Sequence, residues 1–174
     1  MLRIGSSMLW YKIITSFFLC FLITGCGFSP VYVKDNKSLF NTQFRYIKID
    51  PIQDRVGQQL RNELVKILHP TGAASPLKYS LNTTISITKQ GLAIKKSELA
   101  TRSNLIVKAN FTLLENKSKK SFTTGNSRIV TSYNILDQVY ATKVAEQNAQ
   151  IRAISEISRD IAGKLGVFFR YQKK

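Results

Sequence analysis

The chain has 174 residues and a formal charge of +16 at pH 7, from 26 Lys and Arg against 10 Asp and Glu, with two cysteines and one histidine. That length makes one ordinary domain with enough chain to bury a core, and no second domain is needed. The single histidine, two cysteines and scattered acidic residues form none of the clusters that zinc needs, while the basic balance implies attraction to a polyanion or an anionic surface.

The chain opens on an export signal. Arg3 and Lys12 precede the apolar run Ile13–Ile23, which only Thr15 and Ser16 interrupt. A charged n-region followed by a short h-region is a signal sequence. The run is too short for a bilayer span, which needs about 20 apolar residues. Ile23, Thr24, Gly25 and Cys26 then look like a bacterial lipoprotein cleavage site, with the cut before Cys26 and a diacylglycerol on its sulfur. Residues 1–25 are therefore expected to be a lipoprotein signal peptide, and losing Arg3 and Lys12 with it takes the charge from +16 to +14. Cys20 leaves as well, so the mature domain is expected to lack a disulfide. Gly27 stands where an aspartate tends to retain lipoproteins in the inner membrane, which favours the outer membrane. Export also argues against nucleic acid as the polyanion.

Residues 26–41 mix Gly, Ser, Pro and charges and read as a lipidated tether, able to reach roughly 50 Å at about 3.3 to 3.6 Å per residue. The folded domain is expected over 42–174. Phe44, Arg45, Tyr46, Ile47, Lys48 and Ile49 predict a first strand. A helix is expected next, with Asp50 as N-cap, Pro51 at N1 and Gln53 completing a capping box. Ile52, Val56, Leu60, Leu64, Ile67 and Leu68 would form its apolar stripe, and Pro70 and Gly72 would stop it near His69.

From Leu77 to Thr88 apolar and polar residues alternate, as in a strand with one wet face. After a basic connection the pattern returns in Leu105, Val107, Ala109, Phe111 and Leu113. Glu115 to Lys120 reads as a hairpin turn, and Ser121 to Asn134 as the strand that pairs back. A last helix is expected from Asp137 to Leu165, with its stripe on Tyr140, Val144, Ile151, Ile154, Ile157, Ile161 and Leu165, ended by Gly166. The class is α+β: two helices packed on one face of a four-stranded mixed sheet, in the order β-α-β-β-β-α. The other sheet face is left polar for water or a partner.

Catalytic chemistry is not visible. His69 falls in the last turn of a helix, where a positive charge or a carbonyl hydrogen bond is the ordinary explanation, and the many Ser and Thr residues have no base apart from lysine and lie in no nucleophile-elbow motif. No cofactor or metal is implied. The reading is a binding or assembly protein.

Cys26, Gly27, Phe28, Ser29, Pro30, Val31 and Tyr32 resemble the start of the mature LPS-assembly lipoproteins, the LptE family. Leu60, Arg61, Asn62, Glu63 and Leu64 are similar to that family's first helix, and the order of elements matches over the mature chain; the strongly basic balance departs from it. The resemblance implies a non-enzymatic outer-membrane lipoprotein that plugs the lipopolysaccharide translocon β-barrel, assists its assembly and binds lipopolysaccharide during insertion at the cell surface. Ligand contacts are then expected from Lys89, Lys95, Lys96 and Arg102 beside the second and third strands, and from Lys117, Lys119 and Lys120 in the hairpin. Gly27, Phe28, Pro30 and Tyr32 would dock the tether on the barrel. The alternatives are a structural lipoprotein of a secretion or pilus machine without a glycolipid ligand, and a binder of anionic lipid or peptidoglycan that acts alone.

Overall fold

A computed structural model describes residues 43–91 and 102–172. Strand β1 (Ile47–Ile49) leads to helix α1 (Asp54–Leu68), three long strands β2 (Tyr79–Gly91), β3 (Arg102–Glu115) and β4 (Ser121–Asn134), and helix α2 (Val139–Tyr171). The expected α+β class and β-α-β-β-β-α order are both present. The sheet runs β1-β2-β3-β4, with β1 parallel to β2 and the other pairs antiparallel. The parallel pair requires a crossover, and α1 supplies it.

Alternation decides which residues reach the core. Leu81 pairs with Leu113, and Leu105, Val107, Ala109 and Phe111 continue the same side of β3, all nearly or fully buried. Against them α1 sets Leu60, Leu64 and Leu68, and α2 sets Ile154, Ile157, Ile161 and Leu165. Burying each such side chain is worth about 1.5 to 3 kcal/mol. Ala149 and Ala153 are fully buried, and the Ala149 carbonyl accepts from Thr131 Oγ1 at 3.2 Å, because a small residue lets α2 approach β4 closely.

Several boundaries differ from expectation. The first strand is shorter, because Phe44 falls in a helical turn before it. Asp50 is not the N-cap of α1: its N–H extends the sheet by donating to the Leu81 carbonyl at 3.1 Å, and its carboxylate takes Lys48 at 3.1 Å. The helix starts at Asp54 with Gln53 as N-cap and no side-chain cap bond. Ile52 is buried ahead of the helix and lies over Gly57, where a Cβ would meet its Cγ2 at 2.6 Å. Glycine at this position leaves room for the Ile52 side chain over the first turn.

The last helix also differs. Gly166 does not end it; the residue is buried inside α2, which continues to Tyr171. Aromatic packing holds the extension: Phe169 meets Phe44 at 6.2 Å and Tyr79 at 5.5 Å between ring centroids, and Phe168 meets Phe122 at 6.1 Å. Edge-to-face pairs of this kind contribute about 0.5 to 1.5 kcal/mol each. Phe122 reaches them through a bulge, since Ser121 and Thr123 pair with adjacent Leu114 and Leu113 and leave it extra. At the other end of α2 the expected stripe is not a core stripe: Tyr140 is 82% and Ile151 58% exposed.

Candidate functional site

The sheet face turned away from the helices is built by the even-numbered residues of β2, β3 and β4. Their register sets Ser86 beside Lys108 and Lys108 directly opposite Arg128. Thr84, Asn110 and Asn126 form the next row, and Asn82, Thr112 and Thr124 the row after it. On the other side lie Thr88, Ile106 and Val130, then Gln90, Asn104 and Ser132, where Ser132 donates to Asn104 Oδ1 at 2.7 Å. None of these facing positions is acidic. Lys48 on β1 has Asp50 beside it, but Lys108 and Arg128 are both exposed, with no acidic partner among the described residues of β2, β3 and β4 on their face.

That arrangement has an electrostatic cost. Residues directly opposite across antiparallel strands hold their Cβ atoms about 5 Å apart, and like charges so placed repel. A flat cationic row flanked by hydroxyls and amides suits an anion with neighbouring hydroxyl groups, because guanidinium and ammonium donate charge-assisted hydrogen bonds to phosphate or carboxylate. Among the described residues no group of three or more His, Cys, Asp and Glu could hold a metal. His69 lies at the far edge of the sheet, its Nε2 at 2.9 Å from the Ile47 carbonyl.

The residues expected from sequence fall in separate places. Cys26, Gly27, Phe28, Pro30, Tyr32, Lys95 and Lys96 lie outside the described residues. Lys89 is on the helix side of β2, where its ammonium meets Glu146 at 2.8 Å. The hydrogen bond from Lys89 holds the Glu146 carboxyl below its ordinary range against the opposing effect of burial, and the same bond raises Lys89. Arg102 is exposed at the start of β3, opposite Asn134. Lys117, Lys119 and Lys120 are exposed in the hairpin at the other end. Since β3 has 14 residues at about 3.3 to 3.4 Å each, Arg102 and the hairpin stand roughly 45 Å apart, too far for one head group to touch both. Lys108 and Arg128 lie between them. Alternation alone sets Lys108 opposite the apolar side of its strand, but only the register brings Arg128 beside it.

This is a two-layer α+β module with helices on one sheet face; on the other, the described residues of β2, β3 and β4 carry cations and no acid. A family model described as LptE, lipopolysaccharide-assembly, matches residues 42–165. The chain belongs to that family, whose members are non-enzymatic lipoproteins. It is 26% identical over 151 residues to an uncharacterized protein of Rickettsia prowazekii (strain Madrid E), covering 87% of this chain and 93% of that one. Among solved structures it is similar to a Caulobacter crescentus CB15 protein, with TM-score 0.62 and 25% identity over 76% of this chain and 96% of the other. Rare lipoprotein B from Shewanella oneidensis shares the fold at TM-score 0.56 and 11% identity, over 74% of this chain and 98% of that one.

Proposed function

We propose that this chain is an outer-membrane lipoprotein, anchored through Cys26, that plugs and helps assemble the lipopolysaccharide translocon β-barrel and binds lipopolysaccharide as it passes. In this reading residues 1–25 are the signal peptide and 26–41 the tether, with Gly27, Phe28, Pro30 and Tyr32 docking on the barrel. The observation that carries the ligand assignment is Lys108 directly opposite Arg128 on a sheet face where the described residues of β2, β3 and β4 include no acid. Lipid A phosphates and core sugars are the anionic, hydroxyl-bearing chemistry such a face accepts. A polar barrel lumen in turn suits a plug with a hydrophilic exterior and a compact core.

Arg102 and the hairpin lysines extend the cationic surface toward the two ends of the face, and one end at a time joins Lys108 and Arg128 in contact with a head group. Lys89 is held by Glu146 and contributes less. The test is charge reversal in sets: Lys108→Glu with Arg128→Glu, and separately Lys117→Glu, Lys119→Glu and Lys120→Glu. Binding of purified lipopolysaccharide should be lost in the first set and weakened in the second. Unchanged affinity in both would overturn the assignment.

A further inference from the structure

We propose that the edge of β2 at Thr83–Lys89, which no described strand covers, is a docking site for an extended strand of a partner protein, which joins the sheet beside β2 in line with β1. Strand β1 covers only Tyr79 to Leu81 of β2. There the Tyr79 N–H donates to Tyr46 O and the Leu81 carbonyl accepts from Asp50 N–H, both at 3.1 Å. Odd-numbered residues thus turn their main-chain groups to this side. Period-two geometry makes Thr83, Ile85, Ile87 and Lys89 do the same. Among the described residues, β3 is the only strand that pairs with this stretch, and it lies on the opposite side.

Each of the other edges carries at least one side-chain cap. Outside β1, the His69 ring nitrogen reaches the Ile47 carbonyl at 2.9 Å and Arg61 Nε donates to the Ile49 carbonyl at 3.4 Å. Beside β4, Lys164 Nζ donates to the Asn126 carbonyl. Sheets normally blunt their edges with such caps, or with proline, bulges and charge, because a bare edge templates pairing. Between Thr83 and Thr88 there is no proline, bulge or charge, and β-branched residues dominate. Lys89 at the end is turned to Glu146.

The occupant follows from what it must match. A main chain presents one donor and one acceptor on one side at every second residue, and phosphates and sugars do not follow that repeat. On the helix side Ile85 and Ile87 remain half-buried, whereas Thr84, Ser86 and Thr88 on the other side are exposed. The partner segment is therefore apolar at alternate positions and polar between them. At the start of the edge lies a groove of about 350 Å³ between Pro51–Asp54 and Asn82–Ile85. The Thr83 hydroxyl, on the helix side of β2, has no hydrogen-bond partner among the described residues.

This inference is independent of the glycolipid reading, because its probe is a peptide. Isotope-labelled mature chain in detergent micelles is titrated with a short synthetic peptide of alternating valine and threonine. Saturable binding is expected, with amide exchange slowed about tenfold or more at Thr83, Ile85, Ile87 and Lys89 and little changed at Thr84 and Ser86, whose amides already face β3. The same peptide N-methylated at alternate residues should not bind, and Ile85→Lys should weaken the parent peptide at least tenfold. Absent binding, or binding indifferent to N-methylation, would overturn the proposal. So would protection of the four amides in the peptide-free chain; if that protection grew with protein concentration, a second copy and not a partner would occupy the edge.

Discussion

Replacing Lys108 or Arg128 by threonine should strengthen the fold while weakening ligand binding, and the two effects together separate a binding residue from a structural one. The two side chains sit directly opposite each other on adjacent strands, with no acidic partner among the described residues of β2, β3 and β4 on their face. Like charges in that relation cost about 0.2 to 1 kcal/mol, so removing one should return about that much. Threonine also suits a half-exposed strand better than lysine. In urea, with a slope of about 1 to 3 kcal/mol/M, the midpoint should rise by a few tenths molar with the slope unchanged. A charge-assisted hydrogen bond to a ligand is worth about 1.5 to 3 kcal/mol, so each substitution should cost roughly 10- to 150-fold in lipopolysaccharide affinity. The loss should shrink as salt is raised, since both groups are exposed. Lys66→Thr on α1, where the ammonium faces Glu63 at 2.6 Å, removes the same charge elsewhere and should leave affinity within about twofold. The reasoning is refuted if either face substitution lowers stability by more than about 1 kcal/mol or leaves affinity unchanged.

Three further outcomes are expected. Gly125→Ala puts a methyl group into the ring of Phe111, which is 4% exposed, and should lower unfolding free energy by about 1 to 3 kcal/mol, read from urea midpoints. Ile157→Ala, at a fully buried position, should cost about 2 to 5 kcal/mol by thermal or chemical unfolding, whereas Ile151→Ala, at 58% exposure, should stay within about 0.5 kcal/mol. Glu146→Gln should remove a pH-dependent increment of less than about 1 kcal/mol, small because Lys89 is half exposed. The folded carboxyl lies below its ordinary value of 4.5, chiefly through the Lys89 hydrogen bond. The increment is therefore present above about pH 4.5 and lost as pH falls through the depressed folded value. A variant curve parallel to the parent across that window would contradict the assignment.

What the sequence disclosed and what it hid divide along physical lines. Period-two alternation in Leu105 to Leu113 and the three-four spacing of Leu60, Leu64 and Leu68 report a local property, which face is apolar, and both faces are the buried ones. Asp50 and Gly166 misled because their local preferences were overridden by tertiary contacts. The sheet claims the Asp50 amide, and the ring cluster around Phe168 and Phe169 carries α2 past its glycine. Lys89 was legible as basic but not as paired, because Glu146 is far away in sequence. The Lys108 and Arg128 row needed the register of β3 on β4, which includes a bulge at Phe122 that no alternation pattern announces.

The most direct test of the central claim is to isolate the chain from native outer membranes and determine by mass spectrometry what accompanies it and what its N-terminal peptide carries. The account predicts a large β-barrel protein and lipopolysaccharide in the same complex, and a peptide that begins at an acylated Cys26. A chain recovered alone from that membrane, with Cys26 unmodified and no lipopolysaccharide retained, would contradict it.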